Sequence, residues 1–334
     1  MSCCKNALTL TSCEVEADTH LNMDFIWLTA VPLCLLSFLQ SVPSAAVQKR
    51  AESDVILFLR ERADAGDLDA QYDLGLAYEF GKHGLPKDLK QAVAFYRKAA
   101  DAGLAVAQSA LAVMYSDGSG VDKDDNLALH WLHAAAAQGD GQAQNNLGYR
   151  YEFGLGVGLD YREAARWYAK GAASGSPMAE ANLGFLYVRG VGVEQDYKEA
   201  LRLFRRAAER YEPKAIYGVS VIYAKGFGVS RDYDEALIWC RKAADLGHSG
   251  AAYSLAVSYA NGMGVPQSDV DTLRWSIIAV ERAAAEGDRY VDSPAGGWRK
   301  QLEALEKAMP AKEAAQARKQ AREWLQRFAK EVGR

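Results

Sequence analysis

The chain has 334 residues, of which 49% are hydrophobic and only 8 are proline. Apolar residues recur at three- and four-residue intervals and the alternation typical of strands is missing, so the sequence predicts an all-α fold with one continuous core. The net charge is -4 and no basic cluster interleaves with aromatic residues, which argues against nucleic acid as a partner.

Residues 1–46 have the features of a targeting segment. The apolar run from Phe25 to Leu39 ends near the small residues Ser44 and Ala45, a layout typical of a secretory signal peptide. The acidic stretch before this run and the basic pair after it oppose translocation. We expect a periplasmic or secreted protein. An uncleaved membrane anchor, with membrane association through this segment, is the first alternative, and a cytosolic apolar helix is the last.

A repeat occupies the centre of the chain. Marker alanines recur at intervals of about 36 residues, and they are Ala70, Ala107, Ala143, Ala179, Ala215 and Ala251. Tyrosines hold the same register at Tyr78, Tyr115, Tyr151, Tyr187, Tyr223 and Tyr259. The period predicts an N-terminal capping helix over 47–69 and then six helix-turn-helix repeats over 70–287. Their predicted bounds are 70–106, 107–142, 143–178, 179–214, 215–250 and 251–287.

Two helices are predicted in each repeat. The first helix runs from the marker alanine to about the residue after the tyrosine, where a glycine ends it because a left-handed residue is needed there. The second helix begins at a residue type that caps helix N-termini well, namely Asp88, Asp124, Asp160, Asp196, Asp232 or Ser268. In three repeats, Glu163, Glu199 or Glu235 follows at the position that completes a capping box.

The second helix alternates small and large residues at fixed positions. A small residue precedes a large one by one helical turn, and the large ones are Phe95, Trp131, Trp167, Leu203, Trp239 and Trp275. Because small residues let neighbouring helices approach closely, we expect these large side chains to interlock in the core. A single hairpin of this length buries too little surface to be stable alone, so each repeat needs its neighbours.

The end of the array departs from the pattern. Repeat four ends in residues 210–213, where Tyr211 stands in place of the usual glycine, and we expect a different turn there. The segment 288–334 is predicted to be a C-terminal helical cap, with helices over 298–309 and 311–332. The second of these has one apolar face, as a cap needs for contact with the last repeat.

The repeat unit A-x-x-x-L-G-x-x-Y-x-x-G-x-G-V-x-x-D-Y-x-x-A-x-x-W resembles the Sel1-like repeat family, which is related to tetratricopeptide repeats. The resemblance covers about residues 63–287, and its clearest copy starts at Ala143. It implies a right-handed α-solenoid of helix pairs. It also implies an adaptor that holds protein partners, in exported bacterial members often in envelope signalling, polysaccharide export or host contact.

Three constellations could suggest chemistry, but each has a simpler interpretation. Gly154, Gly156 and Gly158 follow a helix rather than a strand, so they end a helix and do not cradle phosphate. His130 and His133 have chelate spacing but lack a third ligand nearby. Cys240 occupies a slot that is apolar in other repeats. We predict no catalytic residue, no metal site, no cofactor and no enzyme activity. A β-lactamase-like hydrolase is the least favoured alternative, because the required motifs are missing.

The function predicted from the sequence is non-catalytic protein binding along the concave face, in envelope signalling or polysaccharide-system regulation. A secreted host-interaction factor is the alternative. Positions that differ between repeats on the first helix are the candidate contacts, since constant positions serve packing. They are Tyr72, Asp73, Asn145, Asn146, Arg150, Asn182, Arg189, Tyr217 and Tyr253. The asparagine amides are expected to bind the backbone of an extended partner segment. The sequence predicts neither the partner's identity nor an oligomeric state.

Overall fold

The structure is a computed structural model that describes residues 45–285 and 295–332. Within those ranges every regular element is a helix, which confirms the all-α solenoid. The helices are α1 (Ala45–Asp64), α2 (Leu68–Phe80), α3 (Leu89–Asp101), α4 (Ala105–Asp117), α5 (Asp125–Ala137), α6 (Gly141–Phe153), α7 (Tyr161–Ala173), α8 (Pro177–Arg189), α9 (Tyr197–Ala208), α10 (Pro213–Lys225), α11 (Tyr233–Asp245), α12 (Ser249–Asn261), α13 (Asp269–Ala285), α14 (Ala295–Ala308) and α15 (Ala311–Val332).

Helices α2 to α13 form six pairs in chain order. Each first helix packs against the second helix of its own pair, and each second helix packs against the first helix of the next pair. First helices also contact one another, α6 with α8 and α8 with α10. The residues from Lys49 onward form one compact unit. Among the described helices none combines the length and the apolar character needed to cross a membrane, and the apolar run 25–39 lies outside the described residues.

The first helices start slightly earlier than predicted. Each begins two residues before its marker alanine, because the capping residue lies further upstream; Asp67 and Asp140, for example, accept the N–H groups of Ala70 and Ala143. Glycines in the left-handed region end these helices, as predicted. They are Gly81, Gly118, Gly154, Gly190, Gly226 and Gly262.

The second helices begin where the sequence predicts. The aspartates at the five predicted N-caps accept backbone N–H groups from the first turn, and Ser268 Oγ accepts the N–H of Asp271 at 3.2 Å. The prediction of capping boxes is wrong, however, because these glutamates do not accept the N–H of the N-cap residue. The three glutamates bind side chains one turn further on instead: Glu163 binds Arg166, Glu199 binds Arg202, and Glu235 accepts the indole N–H of Trp239.

The largest buried side chains lie one position after the predicted row. Tyr96, Leu132, Tyr168 and Phe204 are almost fully buried. Of the predicted row, only Leu203 and Trp275 are buried, whereas Phe95, Trp131, Trp167 and Trp239 are half-buried. Adjacent helical residues point about 100° apart, so the core lies one step around the helix from the tryptophans.

A glycine on the first helix makes room for each buried ring. A Cβ at Gly148 would lie 2.5 Å from the ring of Tyr168, and one at Gly75 would lie 2.4 Å from that of Tyr96. Where the ring is a tyrosine, a glutamate accepts its hydroxyl: Tyr168 donates to Glu152 at 2.7 Å. The repeat with the smaller Leu132 has an alanine, Ala112, at the glycine position. In repeats one to four the small position of the first helix therefore matches the large position of the second helix.

The second glycine of the interhelical loop joins neighbouring repeats. A Cβ at Gly192 would lie 2.0 Å from the carbonyl oxygen of Tyr161, at the start of the preceding second helix. A Cβ at Gly120 would lie 2.3 Å from the corresponding oxygen of Leu89. The prediction that these loop glycines end a helix therefore describes only the first glycine of each loop, such as Gly154. The second glycine, such as Gly156, contacts the neighbouring repeat.

The turn after repeat four is normal, and the expectation of a different turn there is wrong. Tyr211 adopts φ 59, in the same left-handed region as the glycines at the equivalent positions Gly139 and Gly175. Its N–H bonds to the Ala208 carbonyl as Gly175 bonds to Ala172. A non-glycine residue in this region costs about 1–2 kcal/mol, so the turn is preserved at the expense of local strain.

The C-terminal helices continue the packing of the array. Trp298 of α14 joins the apolar cluster of repeat six, and Ala321 of α15 is fully buried in the same cluster. Ala314 and Ala317 pack against Leu273 of α13. Helix α14 starts earlier than the predicted Trp298, whereas α15 has the predicted bounds.

Candidate protein-binding face

Each first helix exposes one stripe of residues. In α6 the stripe consists of Gln142, Asn146, Tyr149 and Phe153, which are exposed or half-buried while most of the helix is buried. These residues follow one another at three- or four-residue intervals, so they share one side of the helix. The equivalent stripes of α2, α4, α6, α8, α10 and α12 together define the first-helix face.

Three of the predicted contact residues are buried. Asn145, Arg150 and Asn182 are 2%, 6% and 4% exposed. The Asn182 amide donates to Asn145 Oδ1 at 2.8 Å and its own oxygen accepts from Lys214 Nζ at 2.6 Å. The expectation that these amides bind a partner's backbone is corrected, because they join consecutive first helices to one another.

Arg150 and Arg189 have structural partners as well. The Arg150 guanidinium donates to Asp125 at 3.2 Å and to the Leu155 carbonyl at 3.0 Å, which joins repeats two and three. Arg189 is 43% exposed and pairs with the buried Glu152. The prediction that Arg150 contacts a partner is therefore corrected, because its side chain connects two repeats. Arg189 exposes part of its side chain on the first-helix face.

Tyr217 and Tyr253 each contact the helix after next, α12 and α14 respectively. The Tyr217 hydroxyl lies 3.1 Å from Ser254 Oγ. The Tyr253 hydroxyl donates to Gln301 at 2.8 Å, and its ring stacks on Trp298 with centroids 4.4 Å apart. Because Gln301 and Trp298 belong to α14, this helix occupies the place that a further first helix would take.

The other predicted contacts remain accessible. Asp73 is exposed, Asn146 is half-buried, and Tyr72 is half-buried with its ring centroid 5.5 Å from that of Tyr96. The amide of Gln142 donates to Asn146 at 3.3 Å across the stripe. The assignment of these three residues and Arg189 to partner binding stays a prediction.

An apolar row along the first-helix face was missed by the sequence reasoning. It lies six residues after each marker alanine and consists of Leu76, Val113, Tyr149, Phe185, Val221 and Val257, none of them fully buried. Val113 is 38% exposed, and the larger Phe80 on the same face is 57% exposed. The signal is present in the sequence, since the position is apolar in all six copies, but a constant apolar character is also typical of packing positions.

The charges on the first-helix face are unevenly distributed. Asp69, Asp73 and Asp117 are exposed on the first two repeats, whereas Arg189 and Lys225 are exposed on repeats four and five. Exposed charges set the orientation and association rate of a partner more than its affinity. The face therefore favours a partner segment that is basic at one end and acidic at the other.

Comparison with known proteins agrees with the repeat geometry. The Sel1 repeat model matches residues 68–104, 105–140, 141–176, 177–211, 213–248, 249–288 and 315–331. The chain belongs to the Sel1 repeat family. The match at 315–331 lies within α15 and adds a seventh, partial repeat in the predicted cap. No curated protein matches the chain.

Two solved structures resemble this Sel1 array. A Sel1 repeat protein from Oxalobacter formigenes is 33% identical, with a TM-score of 0.59 over 68% of this chain and 99% of that one. The protein c5321, described as a protective antigen of uropathogenic Escherichia coli with an SLR fold, is 31% identical, with a TM-score of 0.54 over 82% of this chain. The match spans 56% of the length of c5321. Sel1 repeats generally mediate protein–protein interaction and are generally non-catalytic.

The residues considered for chemistry occupy ordinary positions in the Sel1 array. His130 and His133 are exposed and each lies edge-on to a tryptophan ring. The Cys240 thiol is buried and donates to the Ala251 carbonyl, and burial raises its pKa to about 12, which disfavours the nucleophilic thiolate. No cluster of metal-ligating side chains occurs in the described ranges.

His248 makes the joint between repeats five and six sensitive to acid. Its Nδ1 accepts the N–H of Ala251 at 3.1 Å, and burial, assisted by Lys214, lowers its pKa from 6.5 to about 4. The folded state therefore holds this histidine neutral, and the stability that it contributes is lost as the pH falls from about 6.5 to about 4. We expect a loss of up to about 3 kcal/mol from this group.

Urea unfolding at pH 7 and pH 4.5 measures this loss. His248→Asn is the matched control, because asparagine also caps helices well but does not titrate in this range. The variant should lose less stability between the two pH values than the wild type does. An equal loss in both proteins would assign the acid sensitivity to carboxylates elsewhere.

Proposed function

We propose that this Sel1 repeat protein is an exported, non-catalytic scaffold that binds a segment of a partner protein along the first-helix face. The observation that carries the proposal is the apolar row, whose members stay accessible although similar side chains elsewhere in the array are buried. Val113 and Phe80 belong to one solvent-facing surface of consecutive first helices. An extended or helical segment with apolar side chains at matching intervals would bury them.

The proposed location is outside the cytoplasm. The support comes from the apolar run 25–39 and the small residues that follow it, which together have the layout of a secretory signal. In this setting the scaffold would regulate or assemble an envelope signalling or polysaccharide system. The resemblance to a protein described as a protective antigen of uropathogenic Escherichia coli supports a second candidate, a secreted factor that contacts host proteins.

Substitutions on the first-helix face test the binding proposal. The protein carries a C-terminal tag and is purified from fractionated native cells, and its stoichiometric partner is identified by mass spectrometry. We expect Phe80→Asp and Val113→Asp to weaken the affinity for that partner about tenfold or more, because each places a charge within an apolar contact. Titration calorimetry with the purified partner measures the effect.

Leu127→Asp is the matched control. Leu127 is 39% exposed, close to the 38% of Val113, and it belongs to the second helix of the same repeat. The Leu127→Asp variant should bind the partner with the same affinity as the wild type. Equal affinity of all three variants would refute the first-helix face. The export proposal has its own readout, the N-terminal residue of the purified protein, which should lie near Ala46 in an extracytoplasmic fraction.

A further inference from the structure

A second surface lies on the second helices, away from the first-helix face. Tyr211, Ile238 and Leu246 surround an open concavity of about 450 Å³ between repeats four and five, together with Arg241 and Lys242. Tyr211 is 66% exposed and Ile238 is 64% exposed. These five residues define the outer patch. Its apolar part is open to solvent in the described region of the chain.

The other repeats provide an internal comparison for this patch. Where repeat five has Ile238, the equivalent residues are Ala94, His130, Arg166, Arg202 and Arg274. Where it has Leu246, the equivalents in repeats one to four are Ala102, Gln138, Ser174 and Arg210. The scaffold therefore does not require a large apolar side chain at either position. Exposed apolar groups that folding does not need are typical of interaction sites.

Tyr211 gives the strongest indication, because its backbone is unfavourable for a tyrosine. The residue has φ 59, whereas the equivalent residues Gly66, Gly103, Gly139, Gly175 and Gly247 are glycines with positive φ. Glycine adopts this conformation without strain. A solvent-exposed tyrosine kept at a strained position points to a role outside folding.

The charges around the outer patch favour an acidic partner. Lys242 Nζ lies 5.6 Å from the centre of the Tyr211 ring and 5.2 Å from that of Trp239, and it forms no ion pair with a described carboxylate. The guanidinium of Arg241 donates to the hydroxyl of Tyr259 at 3.0 Å and forms no ion pair with a described carboxylate. Asp245 also lines the concavity, and its carboxylate accepts the indole N–H of Trp324 at 3.3 Å. Two cations thus adjoin three exposed apolar side chains.

We propose that the outer patch binds an acidic segment of a partner protein that inserts an aliphatic or aromatic side chain between Tyr211 and Ile238. Carboxylates of that segment would pair with Lys242 and Arg241, and the apolar side chain would fill the concavity. Buried tyrosines and arginines frequently dominate the affinity of such contacts. The surface would let the scaffold hold a second partner while the first-helix face is occupied.

A selection from a phage-displayed library of random linear peptides on the full chain tests this proposal. The comparison protein is the triple variant Tyr211→Gly/Ile238→Arg/Leu246→Ser, in which every new residue is one that another repeat has at that position. The variant should therefore fold, and thermal unfolding followed by circular dichroism checks this. We expect the wild type to enrich peptides that combine acidic with apolar residues.

Fluorescence anisotropy with one enriched peptide then compares the variants. The triple variant should bind at least about tenfold more weakly than the wild type, and Lys242→Glu should also bind more weakly. Val113→Asp on the first-helix face should leave this affinity unchanged, which separates the result from the proposed function. The proposal is overturned by failure to enrich any peptide, by enrichment of basic peptides, or by equal binding to the triple variant.

Sedimentation velocity measures the oligomeric state and tests whether a second copy of the chain covers the outer patch. A wild-type dimer that becomes monomeric in the triple variant would mean that a second copy of the chain covers the outer patch, and it would overturn the assignment to an acidic partner. A monomer at the concentrations used for the anisotropy measurement supports the proposal.

Discussion

Replacing Gly192 with alanine is expected to destabilise the array by about 2–5 kcal/mol, the sum of backbone strain and a backbone clash. Gly192 has φ 73, where an alanine is strained. Its new Cβ would also lie 2.0 Å from the Tyr161 carbonyl oxygen and 2.4 Å from the attached carbon. Because these atoms belong to the backbone of a packed helix, they cannot move aside as a flexible side chain could.

Two further glycines separate the two causes. Gly139 has φ 85 but no atom within 4 Å of an added Cβ, so Gly139→Ala should cost only the strain, about 1–2 kcal/mol. Gly158 also has no atom within 4 Å of an added Cβ and has no positive φ. Gly158→Ala should therefore be neutral or slightly stabilising, by up to about 1 kcal/mol.

Urea denaturation of the three alanine variants, followed by circular dichroism, gives the free energies of unfolding. The predicted order of loss is Gly192→Ala, then Gly139→Ala, then Gly158→Ala. If Gly192→Ala and Gly139→Ala lose the same stability, the second loop glycine serves only its own backbone conformation, and its role as a contact between repeats is wrong.

The repeat period, the ends of the first helices and the starts of the second helices could be predicted because local chemistry determines them. An aspartate such as Asp160 caps a helix wherever the chain can turn, and a glycine such as Gly154 adopts the left-handed conformation at little cost. Both signals recur in nearly every copy, so the comparison among copies reinforces each of them. The family assignment rests on this same recurrence.

The contacts between repeats could not be predicted from the period. The positions of Asn145 and Asn182 vary between repeats, and these two side chains bond to one another across consecutive first helices. Tyr253 likewise matches Trp298, a residue outside the regular array. Variation among copies therefore has two causes, recognition and the fit at each joint, and a single sequence does not distinguish them.

The choice of core residue also depended on geometry that spacing does not provide. Trp167 and Tyr168 are adjacent, and both positions hold large residues in most repeats. The deciding feature is Gly148 on the paired helix, which lies opposite Tyr168. A search for glycines that accompany a large residue in the same repeat could have found this pair, since Gly75 accompanies Tyr96 in the same way.

Tyr168→Ala is therefore expected to cost about 3–5 kcal/mol, the range for removal of a fully buried aromatic ring. Tyr168 is 0% exposed, and its ring fills the space opposite Gly148, so truncation leaves a cavity between α6 and α7. Its hydroxyl also donates to Glu152 at 2.7 Å. Truncation removes that hydrogen bond from a carboxylate that is only 7% exposed, which adds to the loss.

Trp167→Ala is the matched control, because it removes a larger ring from the neighbouring position. Trp167 is half-buried, with Lys170 Nζ 3.8 Å from the centre of its ring, so part of its surface already meets solvent or a flexible side chain. Trp167→Ala should therefore lower the free energy of unfolding by less than Tyr168→Ala does, about 1–2 kcal/mol. Thermal unfolding of both variants decides between the two positions. A greater loss of stability for Trp167→Ala would mean that the tryptophan is the main core residue of this repeat, whereas the expected order assigns that role to Tyr168 opposite Gly148.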